Sequence, residues 1–391
     1  MGLLVSPVSA ATVSMEYAAT DLDEPLEANL QANAAVGEKL QINAKSAILM
    51  EFKTGEILYE VNADEKLAPA SITKIMSLLL VMEALENGKI KLTDEITASE
   101  HAASMGGSQI WLEPNEVMTI DELLKATVIA SANDATVALA EAVAGSEESF
   151  VAMMNEKAKE LGMNNTNFVN SYGLDADGHL TTAHDVALMS AELIKHDLIK
   201  NYTTVWSDSL RSGESELVNT NKLIRYYDGA FGLKTGTTGK AGSCLSATAE
   251  RGGLTLVAVV LGAPSSNDRF NSTRKLLDYG FANYSYAEVE GETKDFHNIP
   301  VKKGTVREII PTVDEKFSVL LKKGEEGQLS QTFELEEELT APVNKGDTVG
   351  FIHIFLKEEE IGVIPIVAAN NSEKLSYFVC LGRLFKSLFT L

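Results

Sequence analysis

A helix that is apolar on every side lies near the start of this chain. Residues 75–82, IMSLLLVM, carry no charged side chain, and the run ends at Asn87-Gly88, a common helix terminator. A helix without a polar face must be buried all round, so the chain needs a core thick enough to enclose it. Lys74 stands at the head of this helix, where a lysine costs free energy unless it is paired or neutral. The sequence therefore has to supply something that compensates Lys74.

Ser71 precedes Lys74 by one helical turn, in the segment PASITK. On its own this spacing has a structural explanation, in which Ser71 caps the helix and Lys74 extends to the surface. Two other segments carry comparable residues: Ser131-Ala132-Asn133 in a predicted break between two helices, and Lys234-Thr235-Gly236 on a predicted strand with a glycine-rich approach, DGAFGLKTG. Three such segments in this order favour a catalytic interpretation.

The residue types in these segments suit a serine nucleophile. A serine hydroxyl attacks well only when a base removes its proton, and Lys74 can be that base for Ser71 if its amine is neutral. Burial and a second cation, Lys234, would keep it neutral near pH 7. Ser131 can pass a proton to a leaving amine, and Asn133 can orient both Lys74 and a substrate amide.

The strand that carries Lys234 can bind an extended peptide along its edge. Thr235 and Gly236 follow Lys234 on this strand, and the missing side chain of Gly236 permits close approach. The continuation places the backbone N–H of Thr237 opposite that of Ser71, which predicts an oxyanion hole.

Composition excludes several kinds of function. The net charge of −23 argues against a nucleic-acid partner, because phosphate binding needs clustered Lys and Arg. Two cysteines, Cys244 and Cys380, are too few and too far apart for a disulfide scaffold or a cysteine-based metal site. The segment DADGH (175–179) lacks the ligand positions of a calcium loop. We therefore predict neither a metal nor a cofactor.

The order of predicted elements gives the fold class. A hairpin over 46–61, a helical middle, a strand meander and a helix over 267–284 predict an α/β domain with an antiparallel sheet packed by helices. Short alternating segments with glycine turns then predict a small all-β domain. The predicted divisions are a signal-peptide remnant and lead-in (1–39), a catalytic domain (40–288), a β-rich domain (289–370) and a C-terminal amphipathic helix (371–391).

The motif set resembles that of the D-alanyl-D-alanine carboxypeptidases, which are low-molecular-mass penicillin-binding proteins. The blocks ILMEFKTGEILYE, NSYGLDADGHLTTAHD and DGAFGLKTGTTGKAGSCLSATAE extend this resemblance over about residues 40–390. It implies a transpeptidase-like catalytic domain related to serine β-lactamases. It also implies removal of the terminal D-alanine from peptidoglycan pentapeptide stems through an acyl-enzyme on Ser71, with β-lactams as covalent inhibitors. The family pattern further implies that Arg269 binds the substrate carboxylate.

The C-terminal segment SEKLSYFVCLGRLFKSLFTL has the pattern of a membrane-surface helix. Its apolar residues fall on one helical face, with basic residues among them: Phe378, Leu381, Leu384, Phe385 and Leu388, and Lys374, Arg383 and Lys386. A helix docked on its own protein shows the same periodicity, so that alternative stays open. With the short apolar start of the chain, this pattern predicts an exported protein at the outer face of the cytoplasmic membrane.

Two other functions use the same acylation residues. A serine β-lactamase also needs a water held for deacylation, and Glu160 with Asn164 imitates the glutamate-containing signature for that water. A penicillin sensor would be acylated at Ser71 and stay acylated, but such a protein is normally coupled to a signalling module. The β-rich domain and the C-terminal segment favour the carboxypeptidase.

Overall fold

The computed structural model of the chain describes residues 40–289, 291, 293–314, 316–377 and 381–382. Its helices are α1 (Lys74–Glu86), α2 (Glu100–Ala103), α3 (Ile120–Ile129), α4 (Asn133–Ala144), α5 (Glu147–Glu160), α6 (Ala183–Ile194), α7 (Lys200–Thr203), α8 (Leu223–Tyr226) and α9 (Ser266–Asn283). The strands before α9 are β1 (Ser46–Glu51), β2 (Ile57–Val61), β3 (Glu95–Thr97), β4 (Val117–Thr119), β5 (Ser207–Leu210), β6 (Ser215–Val218), β7 (Ala230–Thr238), β8 (Gly242–Arg251) and β9 (Leu254–Ala263). The strands after α9 are β10 (Tyr284–Val289), β11 (Ile299–Lys302), β12 (Glu308–Ile309), β13 (Pro311–Thr312), β14 (Phe317–Lys322), β15 (Leu329–Leu335), β16 (Leu339–Thr340), β17 (Thr348–Leu356) and β18 (Glu359–Ala368).

A five-stranded antiparallel sheet organises the first part of the chain. Its strand order is β2-β1-β9-β8-β7, so the N-terminal hairpin joins the later meander through the β1–β9 pair. The hairpin register pairs Ala47 with Val61, as expected from two apolar runs around a turn. The predicted α/β class and the antiparallel sheet are confirmed.

Both faces of this sheet are buried, because its side chains alternate between two apolar clusters. Ile48 and Met50 face one cluster, which includes most of the apolar residues of α1, α3, α4 and α6. Ala47 and Leu49 face the other, where α9 covers the sheet. The sheet is therefore a middle layer between helices, and β7 forms one of its edges.

Helix α1 lies in the first cluster, as its sequence predicts. All of its residues from Lys74 to Met82 are buried, and it ends at Glu86, before Asn87 and Gly88, the latter with φ of +69°. The start of the helix differs from the prediction that Ser71 and Lys74 lie on the same α-helix. Ser71 does not belong to the α-helix but to a short 3₁₀ turn, Ala70–Thr73, which precedes α1. Ala70 adopts φ of +49°, so the chain bends sharply just before the serine.

A separate β-rich region follows α9. Strands β13, β18, β17 and β15 form its largest sheet, and a third apolar cluster fills it. The small all-β domain predicted from the sequence is thus confirmed. The boundary predicted at residue 288 falls inside β10, which pairs along its whole length with β14.

The start of the predicted C-terminal helix contacts this β-rich region. Ser372 is fully buried and bridges Val343, and Lys374 bridges Gly304. These two residues extend the β-rich region beyond the predicted limit at 370. Most of the residues that carry the predicted amphipathic face, including Phe378 and Leu384, lie outside the described part of the chain. Within the described residues, no helix is long and apolar enough to cross a membrane.

Candidate active site

The amine of Lys74 is the centre of the predicted constellation. Its Nζ atom lies 3.2 Å from Ser71 Oγ, 2.6 Å from Asn133 Oδ1 and 2.7 Å from the carbonyl oxygen of Tyr172. The lysine side chain is fully buried. The structural explanation, in which Lys74 extends to the surface and Ser71 caps the helix, is wrong, since the residue at the N-cap of α1 is Thr73 and no side chain caps that end.

Burial is what changes the chemistry of this amine. Desolvation lowers the pKa of Lys74 well below its ordinary value, and the positive charge of Lys234 lowers it further, while Asp134 opposes the shift. A neutral amine has two N–H groups and one lone pair. Asn133 Oδ1 and the Tyr172 carbonyl can only accept hydrogen bonds, so they take both N–H groups. The lone pair is then left for the hydroxyl of Ser71.

Asn133 reaches the site from the break between α3 and α4, and Ser131 lies in the same break. Asn133 is the first residue of α4, and its amide donates to the carbonyl of Gly106 at 2.6 Å. Its backbone N–H donates to the carbonyl of Ser108 at 2.7 Å. Ser131 is 4 % exposed and has φ of +61°, a conformation that is uncommon for a residue other than glycine. The helical path is thus interrupted at Ser131, and α4 begins again at Asn133.

Strand β7 approaches the nucleophile more closely than a side chain would allow. A Cβ atom added to Gly236 would lie 2.9 Å from the backbone nitrogen of Ser71 and 3.1 Å from that of Ile72. The sequence predicted that Gly236 lets an extended peptide approach the strand; in the structure the missing side chain also lets the turn that carries Ser71 approach it. Thr235 is 5 % exposed, and its hydroxyl lies 2.6 Å from that of Thr220.

Two cations lie along the same strand. Lys234 is 1 % exposed, and burial with the charge of Arg269 lowers its pKa to about 7. Arg269, near the start of α9, donates to the carbonyl of Gly236 at 3.2 Å and to the hydroxyl of Thr237 at 2.9 Å. Its side chain is 8 % exposed, and its Nε atom is buried without a partner.

The location of Arg269 removes one alternative. An exposed arginine paired with Asp268 would have no part in a site, but Asp268 instead accepts hydrogen bonds from Ser265 and Asn43. The guanidinium therefore lies against the end of β7 with hydrogen-bonding capacity left over.

Sequence reasoning missed the backbone contribution of the loop after α5. The carbonyl of Tyr172 binds Lys74, and Gly173 passes so close to Ala70 that an added Cβ would lie 1.9 Å from its carbonyl oxygen. His179 anchors this loop, because its Nε2 atom lies 2.8 Å from Thr73 Oγ1. Burial lowers the pKa of His179 to about 4, so the imidazole is neutral at physiological pH. The block NSYGLDADGHLTTAHD contains these residues and can be recognised in the sequence. A contact made by a backbone carbonyl cannot be predicted from it, because every residue has that group.

The glutamate proposed for a β-lactamase water has a different environment. The side chain of Glu160 is 63 % exposed at the end of α5 and pairs with Lys157 at 2.7 Å. As for metals, no group of three or more His, Cys, Asp or Glu within the described part of the chain could hold an ion.

Comparison with known proteins gives a consistent picture. The family model for D-alanyl-D-alanine carboxypeptidase matches residues 31–265, and the model for the C-terminal domain of penicillin-binding protein 5 matches residues 287–374. The chain is 44 % identical to the D-alanyl-D-alanine carboxypeptidase DacF of Bacillus subtilis over 88 % of its own length and 90 % of that protein.

Solved structures with a similar fold match most of this chain. Penicillin-binding protein 5 from Haemophilus influenzae is 30 % identical and superimposes with a TM-score of 0.71, covering 86 % of this chain and 99 % of that one. Penicillin-binding protein D2 from Listeria monocytogenes, in its ampicillin-bound form, is 34 % identical with a TM-score of 0.58. The latter match covers 62 % of this chain and 100 % of that one.

Proposed function

Because the chain belongs to the D-alanyl-D-alanine carboxypeptidase family, we propose that it releases the terminal D-alanine of peptidoglycan stem peptides through an acyl-enzyme on Ser71. It is a serine peptidase of the penicillin-binding class, and β-lactams bind in the same site as the peptide. The observation that carries the residue assignment is the buried contact of Lys74 with Ser71, Asn133 and Tyr172.

The acylation step follows from the hydrogen bonds of Lys74. The neutral amine takes the proton of the Ser71 hydroxyl as the oxygen attacks the carbonyl carbon of the penultimate D-alanine. Negative charge then develops on the carbonyl oxygen, and the backbone N–H groups of Ser71 and Thr237 stabilise it. The close packing of Gly236 on the Ser71 amide supports this placement.

Collapse of the tetrahedral intermediate breaks the peptide bond. The departing amine of D-alanine needs one proton, which passes from the Lys74 ammonium through the hydroxyl of Ser131. Lys74 is neutral again when D-alanine leaves, so it can activate the water that hydrolyses the ester on Ser71. Both half-reactions therefore use the same base.

The two cations along β7, Lys234 and Arg269, bind the terminal carboxylate of the substrate. A carboxypeptidase must distinguish a free terminal carboxylate from an internal peptide bond. Lys234 supplies a positive charge near the serine, and the guanidinium of Arg269 matches a carboxylate in two parallel hydrogen bonds. The contacts of Arg269 with the carbonyl of Gly236 and the hydroxyl of Thr237, at the end of the strand that carries Lys234, support this role.

The basic and apolar residues of the C-terminal segment support a second part of the proposal. The part of the predicted amphipathic helix (371–391) that follows Tyr377 binds the outer surface of the cytoplasmic membrane, with Arg383 and Lys386 close to anionic head groups. The protein is exported and acts there on nascent cell wall. A small number of basic residues and one apolar face suffice for peripheral attachment.

The function is tested by following the intact mass of the protein after penicillin is added, alongside D-alanine release from a pentapeptide. We expect one equivalent of penicillin on the wild-type protein, and neither label nor D-alanine with Ser71→Ala. Labelling of Ser71→Ala at the wild-type rate would refute the nucleophile. Fast loss of the label without D-alanine release would instead favour a β-lactamase.

A further inference from the structure

An exposed indole lies on the segment that binds the catalytic asparagine. Trp111 is 61 % exposed and has φ of +60°, which is rare for a bulky residue and costs conformational free energy. Other large apolar side chains of this protein are also exposed, and other residues besides glycine also adopt a positive φ, but at Trp111 the two features coincide. Backbone strain of this kind clusters at binding and active sites, so the coincidence points to a role in function.

Two charged side chains hold the backbone on either side of this tryptophan. The carboxylate of Asp134, fully buried, accepts hydrogen bonds from the backbone N–H of Ile110 at 3.1 Å and of Leu112 at 3.0 Å. The guanidinium of Arg211 donates to the carbonyl of Ile110 at 3.0 Å and to that of Trp111 at 3.5 Å. The local conformation of Trp111 is therefore imposed from outside the loop.

The segment that carries Trp111 also contacts the active site through Asn133 and its neighbour Asp134. Asp134 directly follows Asn133, whose side chain accepts from Lys74 and donates to Gly106. Gly107 lies so close that an added Cβ would be 2.8 Å from the Asn133 side-chain nitrogen. Consecutive Cα atoms are about 3.8 Å apart, so the four steps from Gly107 keep the Cα of Trp111 within about 15 Å of the Cα of Gly107, the residue that packs against the Asn133 amide. That is the range reached by the residues of a stem peptide that precede D-Ala-D-Ala.

We propose that the indole of Trp111 is a binding platform for the part of the stem peptide that precedes D-Ala-D-Ala. This inference rests on the proposed function. The planar ring packs against the aliphatic side chain of the residue before the two D-alanines, and it contributes to affinity without touching the scissile bond. Aromatic side chains suit such a surface because they offer a large rigid area at small cost in conformational entropy.

The test compares two substrates that differ only in this part: N-acetyl-D-Ala-D-Ala and diacetyl-L-Lys-D-Ala-D-Ala. The variants are Trp111→Asn, which removes the ring while tolerating the positive φ, and Trp111→Phe, which keeps an aromatic surface. We call the second substrate the extended peptide and the first the short peptide, and we divide kcat/KM for the extended peptide by kcat/KM for the short one. For Trp111→Asn we expect this ratio to fall about three- to tenfold, the range for a lost aromatic contact. Trp111→Phe should restore most of that ratio.

Binding is measured separately by fluorescence. Trp111 and Trp206 are the two tryptophans of the sequence, so Trp206→Phe leaves Trp111 as the remaining indole. With Ser71→Ala added to prevent turnover, the extended peptide should shift the emission and the short one should not. Trp206→Phe alone serves as the activity control.

Two results would overturn the proposal. Equal kcat/KM losses on both substrates, or none on either, would mean that Trp111 does not contact the residue before D-Ala-D-Ala. If Trp111→Asn lowered kcat/KM only for a substrate that also carries the peptidoglycan disaccharide, the indole would contact sugar and not peptide. If the wild-type protein released no D-alanine from either substrate, the proposed function itself would fail, and that outcome is distinct from both.

Discussion

Lys74 Nζ lies 2.6 Å from Asn133 Oδ1, although the two residues are 59 positions apart in the sequence. An amide oxygen accepts hydrogen bonds and cannot donate one, so this contact fixes the direction of one N–H of the amine. The Tyr172 carbonyl fixes the second. The arrangement orients the remaining lone pair towards Ser71, which is the geometry a general base requires.

Replacing Lys74 by glutamine separates its basicity from its hydrogen bonds. The amide of Lys74→Gln still has two N–H groups for Asn133 and Tyr172 but has no basic lone pair. We expect penicillin acylation to slow by about 10²- to 10⁴-fold, the usual contribution of a general base. The measurement is the acylation rate with a fluorescent penicillin, together with thermal unfolding to verify the fold. Lys89→Ala, at an exposed lysine after α1, is the control; a wild-type rate in folded Lys74→Gln would contradict the role.

The two buried lysines predict a bell-shaped pH dependence of kcat/KM. Burial lowers the pKa of Lys74, so the fraction of neutral amine rises with pH through that lowered value, and activity rises with it. The pKa of Lys234 is about 7, so its charge, and with it carboxylate binding, is lost as the pH rises above that value. We expect the alkaline limb near pH 7 in the free enzyme, measured by D-alanine release at substrate concentrations well below KM. A profile that stays flat from about pH 6 to 9 would show that neither lysine titrates as argued.

Adding one methyl group at Gly236 should push β7 away from the nucleophile. The new Cβ of Gly236→Ala would meet the backbone nitrogens of Ser71 and Ile72, which cannot move independently of the turn. We expect acylation to fall roughly tenfold to a hundredfold, since a displacement of about 1 Å at reacting groups has effects of that size. Gly239→Ala is the matched control, because nothing lies within 4 Å of its added Cβ. Equal rates in the two variants would mean that β7 does not have to approach Ser71 so closely.

Removing the guanidinium of Arg269 should affect substrates with a free carboxylate. For Arg269→Ala we expect kcat/KM on an acyl-D-Ala-D-Ala peptide to fall roughly ten- to a hundredfold, the range for a lost charged hydrogen bond. The loss should be much smaller when the terminal carboxylate is amidated. Lys275→Ala, at an exposed position of the same helix, controls for a general effect of charge. Identical losses on the free and amidated peptides would exclude Arg269 from carboxylate binding.

A truncation of the C-terminal segment must spare the residues that join the β-rich region. Ser372 donates to the carbonyl of Val306 at 2.7 Å, so a truncation should begin after it. We expect the variant that lacks residues 378–391 to lose binding to vesicles containing anionic lipid and to keep its activity on a soluble peptide. Flotation with vesicles measures the first and D-alanine release the second. Undiminished flotation of the truncated protein would show that the attachment lies elsewhere.

Features that depend on local pattern could be predicted from the order of the residues. An apolar run without a polar face places α1 in the core, and the alternation of β1 and β9 places their side chains on two buried faces. Turn residues and apolar periodicity also indicate the division between the α/β domain and the β-rich region. The side chains of Ser71, Lys74 and Lys234 carry the chemistry of a nucleophile, a base and a cation wherever they lie, so residue type and spacing suffice to select them as candidates.

The way those residues meet could not be predicted, because it depends on contacts between distant segments of the folded chain. The third partner of Lys74 is the carbonyl of Tyr172, a group that every residue possesses and that periodicity cannot reveal. Ser71 lies on a 3₁₀ turn because Ala70 bends the chain and Gly173 packs against it from a distant loop. The reach of Arg269 to Thr237 likewise depends on how α9 lies on the sheet. Such contacts join segments far apart in the chain, and their energies depend on burial and direction, which are properties of the folded protein.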